Sequence, residues 1–210
     1  IRTRCLALTK HLMDACDLRA GRIEDEGLRV VLAGRPNAGK SSLLNALVCE
    51  ERAIVTAVPG TTRDTLTESV QIEGVRVNLT DTAGLRQTED VVEQIGVQRA
   101  QKALREADVR LLVLDGSQAL KPADTEALEG MTPSAVVVTK GDLPMCVAEE
   151  DAHAMFGDVP VITVCAPRGE GLDALRQLIV TFIPQEGQET AALSQVRHVE
   201  VARHACDALG

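Results

Sequence analysis

The chain has 210 residues, 45% of them hydrophobic, enough for one well-buried core and short of a clear second. Aromatic residues make up 1%, two Phe with no Trp or Tyr, so the core is aliphatic and the stacking platforms of a single-stranded nucleic-acid binder are missing. The formal charge of −9 argues against a large basic footprint on nucleic acid for these residues alone. Residues 1–22 carry Cys5, Leu8, Leu12, Ala15 and Cys16 at helical spacing, and Gly21 and Gly27 then bracket a polar turn. Residues 28–33 read as a buried strand ending at Gly34, and 41–48 as a helix. Residues 67–72 and 75–80 read as strands joined at Glu73-Gly74. A helix over 91–107 and strands over 109–114, 135–138 and 161–164 follow, with a helix over 172–182. PQEGQ, at 184–188, reads as a linker, and Leu193, Val196, Val199, Val201 and Ala205 give a last amphipathic helix. Strands alternating with helices predict an α/β domain at 28–183 with a mostly parallel sheet. Helical segments flank it at 1–27 and, with the linker, at 184–210.

The cysteines (Cys5, Cys16, Cys49, Cys146, Cys165, Cys206) form no CxxC pair and sit beside no His cluster, so they read as small buried residues of a reduced protein. No leader opens the chain, and no apolar run approaches the roughly 18 residues needed to cross a bilayer. A soluble, cytoplasmic protein with no membrane partner is expected. A start at Ile1 and a stop at Gly210 just after a helical pattern suggest a piece of a longer chain.

GRPNAGKS, residues 34–41, fits GxxxxGK followed by Ser or Thr, directly after a strand and directly before a helix. Its glycines let successive backbone N–H groups point inward at phosphate oxygens, and the helix N-terminus adds partial positive charge. Lys40 would reach the β- and γ-phosphates, and the Ser41 hydroxyl would bind Mg²⁺. Asn37, Ala38, Gly39 and Ser42 complete the expected phosphate contacts. An ordinary Gly-rich turn does not need Lys and Ser at the helix start.

Asp81-Thr82-Ala83-Gly84 follows the strand at 75–80, where a carboxylate can hold the Mg²⁺ shell and the Gly84 N–H can meet a γ-phosphate. Between the two motifs lies PGTTRD, 59–64, whose Thr62 is suited to closing over Mg²⁺. Thr139-Lys140-Gly141-Asp142 follows the strand at 135–138. The Asp142 carboxylate would accept hydrogen bonds from guanine N1–H and N2–H₂, a donor pair adenine lacks. The usual motif is NKxD, and the shorter hydroxyl of Thr139 is expected to brace the loop less well. Cys165-Ala166-Pro167 follows the strand at 161–164, a partial match to the usual Ser-Ala-Lys, where a backbone N–H near Ala166 would meet guanine O6.

The ordered set GRPNAGKSSLLNAL, PGTTRD, DTAGLR, TKGD and CAPRGEG resembles the translation-factor-related GTPases, and within them the tRNA-modifying MnmE (TrmE) family. GRIEDEGLRVVLAGRPNAGKSSLLNALV, ERAIVTAVPGTTRD and DTAGLRQTEDVVEQIGVQRAQKAL carry the resemblance, which covers most of 1–183 and continues loosely through RHVEVARHACDAL. It implies a Ras-like P-loop GTPase domain inserted in a helical domain. Two parts of that family, an N-terminal folate-binding, dimerising domain and a Cys-x-Gly-Lys tail, are not among these residues. Cys206 matches no such tail.

The resemblance also implies a mechanism. Many switch GTPases orient water with a Gln after DTAG, whereas Leu85 stands here. In the family a potassium ion serves in place of an arginine finger, and its ligands match Asn37, Thr61 and backbone oxygens around Thr56 and Val58. Glu93 matches a glutamate that positions water, and Arg63 a residue that orders the first switch. The implied activity is potassium-activated GTP hydrolysis driving modification of the tRNA wobble uridine at carbon 5. An FAD-containing MnmG-type partner, folate from the further domain, tRNA and a homodimer of GTPase domains are implied with it. Rival readings are a ribosome-assembly switch like Der and the cytosolic domain of a FeoB-like iron transporter.

Overall fold

A computed structural model describes residues 18–51, 67–82 and 93–183. Residues 1–17 of the helical pattern expected over 1–22, the PQEGQ linker and the expected last helix lie outside the described residues. The chain divides into two compact units, Leu28–Phe182 and the residues on either side, of which Leu18–Gly27 and Ile183 are described.

The described part of the flanking unit is α1, Leu18–Glu26. The turn expected between Gly21 and Gly27 is instead helix, which runs through Gly21 and closes where the Gly27 N–H donates to Ile23 O at 2.9 Å. A single internal glycine costs a helix only about 1 kcal/mol, so Gly21 does not end it and the glycine at the C-terminus does.

The larger unit is a six-stranded sheet in the order β2-β3-β1-β4-β5-β6. Its strands are β1 (Leu28–Ala33), β2 (Thr67–Ile72), β3 (Val75–Asp81), β4 (Val109–Asp115), β5 (Ala135–Thr139) and β6 (Val161–Thr163). Every pairing is parallel except that of β2 with β3, a hairpin turned at Glu73 and Gly74, which have φ of +49° and +82°. All five residues of β5 and five of the seven in β4 are buried, the unbroken apolar pattern of parallel strands covered on both faces. Edge strand β2 is mostly exposed, and it keeps Val70 and Ile72 inward.

The helices are α2 (Lys40–Glu51), α3 (Glu93–Glu106), α4 (Pro122–Glu126), α5 (Glu149–Phe156) and α6 (Leu172–Thr181), with a 3₁₀ turn at Ala166–Arg168. Leu104 of α3 and Ala152 and Phe156 of α5 join Val31, Leu112, Leu114, Val136 and Val138 in one hydrophobic cluster, aliphatic but for Phe156. Burying each such Leu or Val stabilises the fold by roughly 1.5–3 kcal/mol. Neither α4 nor α5 is long enough to show a clear helical period. Short-range signs of α4 do exist, since Pro122 opens it and Asp124 Oδ2 accepts the Lys121 N–H at 2.8 Å.

Candidate functional site

Residues 34–39 join β1 to α2 in the sharp curl expected of a phosphate loop. A Cβ at position 34, where φ is +151°, would stand 2.3 Å from Val113 O, so the loop can lie against β4 only with glycine there. Asn37, exposed, holds φ +63°, a left-handed conformation that asparagine tolerates better than most residues. Ala38 is buried, and its N–H donates to Arg35 O at 3.3 Å. Lys40 opens α2 and is 3% exposed, its Nζ donating to Gly34 O at 2.9 Å and Arg35 O at 2.7 Å. An ammonium buried under the loop beside a helix N-terminus makes a strong anion site. Ser42 follows on the exposed side of α2.

Ser41 Oγ donates to Asp81 Oδ2 at 2.6 Å, joining the start of α2 to the end of β3. A hydroxyl and a carboxylate are hard oxygen donors, and their closeness across two elements fits a Mg²⁺ ion with few protein ligands. Thr82, also buried, donates through Oγ1 to Leu32 O at 3.0 Å, which fixes the exit of β3 against β1.

Thr139 closes β5, and its Oγ1 is 2.6 Å from Ala38 O and 2.9 Å from Leu114 O. The hydroxyl, though shorter than an asparagine side chain, thus ties the end of β5 directly to the phosphate loop and to the end of β4. Lys140 takes φ +60°, and its Nζ donates to Asp115 Oδ2 at 2.6 Å. Burial alone would raise the Asp115 carboxyl, but hydrogen bonds from Lys140 and Ser117 outweigh it and hold the pKa below the usual 3.8. The Gly141 N–H donates to Val164 O at 3.2 Å, and Asp142 beside it is exposed. Cys165 is buried, and Ala166 and Pro167 lie in the 3₁₀ turn, where proline has no N–H to offer a base. Cys49 and Cys146 are exposed, contrary to the expectation that the cysteines are buried. Cys5, Cys16 and Cys206 lie outside the described residues.

Residues far apart in sequence thus meet at one edge of the sheet, the C-terminal ends of β1, β3, β4, β5 and β6, where open α/β sheets bind ligands. Of the expected site residues, Thr56, Val58, Thr61, Thr62, Arg63, Ala83 and Gly84 lie outside the described residues, as does Leu85. Glu93 opens α3, with its side chain outside the description. Sequence reasoning missed Asp115. Its signal was an acidic residue closing an otherwise buried parallel strand.

A mostly parallel sheet with β1 at its centre, continued by a phosphate loop into α2, has the fold of a Ras-like P-loop GTPase. The family model described as 50S ribosome-binding GTPase matches residues 29–140, a little over half of the chain, and the chain belongs to that family of GTP-hydrolysing enzymes. Its curated relatives carry a narrower name. It is 43% identical over 193 residues to the tRNA modification GTPase MnmE of Heliobacterium modesticaldum, covering 87% of this chain and 41% of that protein. To MnmE of Symbiobacterium thermophilum it is 44% identical over 204 residues, covering 96% and 44%. The chain therefore spans under half the length of these relatives. Among solved structures, the G domain of the T. maritima FeoB iron transporter is similar with a TM-score of 0.54 and 28% identity, over 75% of this chain and 99% of that one. A variant of Aquifex aeolicus Era bound to GDP·AlF4⁻ gives 0.57 and 25%, over 80% and 61%.

Proposed function

We propose that this chain is the GTPase domain, with flanking parts of a helical domain, of a potassium-activated enzyme of MnmE type that drives modification of the tRNA wobble uridine at carbon 5. The observation that carries this reading is the match to MnmE at 43–44% identity over 87–96% of the chain. The FeoB G domain reaches only 28%. The cytoplasm is the compartment this reading implies, and among the described residues no helix is long and apolar enough to cross a membrane.

In this reading the phosphate loop and Lys40 bind the nucleotide phosphates. Ser41 and Asp81, with Thr62, hold Mg²⁺, which offsets charge on the phosphates. Asp142 selects guanine, and the backbone at Cys165–Pro167 flanks the base. Thr56, Val58, Thr61 and Asn37 would hold K⁺, which supplies positive charge beside the phosphates. The support for this within the described residues is that the phosphate loop presents an exposed amide at Asn37. Glu93 orients water, and Arg63 orders the first switch. A face-to-face homodimer of GTPase domains, an FAD-containing MnmG-type partner, folate and tRNA complete the proposed system.

Two measurements test it. Steady-state GTP hydrolysis in potassium should exceed that in sodium at matched ionic strength by at least tenfold, since a full arginine finger contributes about 10³–10⁵. Asn37→Ala should erase the difference, and equal rates in both salts would remove the cation mechanism. A chimera carrying these residues in place of the matching segment of an MnmE should restore modified wobble uridine in a strain lacking that enzyme. Unmodified tRNA from a folded, GTP-hydrolysing chimera would contradict the tRNA reading.

A further inference from the structure

The turn after β4 is pressed against the loop after β5, and both sides of that contact are built for it. Strand pairing sets Asp115 beside Thr139 in register. The Gly116 N–H donates to Thr139 O at 3.0 Å, and the Cys146 N–H donates to Gly116 O at 2.7 Å. A Cβ at position 116 would stand 2.7 Å from Thr139 O, 2.8 Å from Val138 Cγ1 and 2.9 Å from Met145 Sδ, so no side chain fits there without displacing the loop. Within this contact the Asp115 side chain is only 10% exposed. Its carboxylate accepts the Ser117 N–H at 3.0 Å, the Ser117 hydroxyl at 2.6 Å and Gln118 Nε2 at 3.0 Å. Those three bonds make an ordinary Asx-type turn. The fourth, from Lys140 Nζ at 2.6 Å, comes from 25 residues further on and is not required by the turn.

We propose that Asp115 is a positioning residue for guanine recognition: by fixing the Lys140 ammonium it lays the apolar stem of that lysine as one wall of the base site beside Asp142. The inference deepens the reading of the Thr139–Asp142 loop and rests on it. A lysine head is strongly hydrated and its stem flexible, so an unpinned Lys140 would trail into water. Here the stem is held at both ends, by a backbone at φ +60° and by a carboxylate. A base meeting such a surface does not have to order it first, and that saving appears as affinity.

The test is a double-mutant cycle on the full chain, read by binding of a fluorescent GDP analogue. Asp115→Asn keeps an acceptor for Ser117 while removing the charge that holds Lys140. It should weaken GDP roughly five- to tenfold, the value of one ordered flexible side chain. Lys140→Ala should lose a similar factor, and the double variant should bind no more weakly than Lys140→Ala alone. For GTP turnover the loss should fall on KM far more than on kcat. Full additivity of the two losses, or unchanged affinity in Asp115→Asn, would overturn the proposal. Should Asp115→Asn not fold, Asp115→Glu carries the same cycle, because it displaces the charge without deleting it and should lose affinity only where Lys140 is present. ADP binding to the unmutated chain as tightly as GDP would instead remove the guanine reading itself, whatever the cycle shows.

Discussion

The Thr139 hydroxyl stands 2.6 Å from the Ala38 carbonyl oxygen, joining the loop after β5 to the loop after β1 across 101 residues of sequence. Leu114 O lies 2.9 Å from the same oxygen, so one buried hydroxyl hydrogen serves two carbonyls. Thr139→Val keeps the shape and removes the donor. It should lower the unfolding free energy by about 1–3 kcal/mol, the cost of leaving a buried acceptor unsatisfied. Urea unfolding measures this. A variant as stable as the parent would mean that the bridge between the two loops contributes nothing.

The contact between Ser41 and Asp81 leads to a prediction about magnesium. Asp81→Asn and Ser41→Ala each weaken a two-donor oxygen site, so the Mg²⁺ concentration for half-maximal GTP hydrolysis should rise at least about tenfold. GDP binding in the presence of a chelator should change little. A magnesium titration unaffected by both substitutions would contradict the metal assignment. Lys40→Ala, which removes the ammonium beneath the loop, should abolish turnover in any magnesium concentration.

Much of this was legible in the sequence for a local reason. The phosphate loop, the strand-end Asp81 and the Thr139–Asp142 loop are contiguous motifs whose strand-turn-helix context is itself local, so β1, β4 and β5 could be read from unbroken apolar runs. Two kinds of feature were not legible. Gly21 resembles a breaker, but its effect depends on neighbours that sustain the helix, and tertiary context decides such cases. The reach of Thr139 to Ala38 and of Lys140 to Asp115 depends on which strands become neighbours, β4 lying between β1 and β5, and that order is not written in any one segment.

Asp115 also gives a pH dependence with a definite sign. Its folded pKa lies below 3.8, because donors from Lys140 and Ser117 outweigh a burial effect that acts in the opposite direction. A depressed carboxyl contributes stability above its unfolded pKa and loses it as pH falls through the folded value. The stability gap between the parent and Asp115→Asn should therefore be full at pH 5–6 and narrow below 3.8. Urea unfolding across that range checks it. A gap that stays constant down to pH 3 would show that ionisation of Asp115 is not what the fold uses.

The aliphatic core allows a calibration unrelated to the site. Leu112 in β4 has no exposed surface and lies in the cluster with Leu104, Val136 and Phe156. Leu112→Ala should cost about 2–5 kcal/mol, with the spread set by how far the neighbours relax. A loss below about 1 kcal/mol would indicate that β4 is less tightly packed than its burial implies.

Asp142, an exposed carboxylate, is the residue proposed to select guanine. The most direct measurement is calorimetric binding of GDP, ADP and XDP to the parent and to Asp142→Asn. A site built to pair with a donor edge rejects a ligand lacking it by two or more orders of magnitude, so the parent should bind GDP at least about 100-fold more tightly than ADP. Asp142→Asn replaces an acceptor oxygen with an N–H donor that suits the C2 carbonyl of xanthine, so it should lose GDP and gain XDP. Equal binding of GDP and ADP by the parent, or a variant that keeps its preference for GDP, would contradict the account.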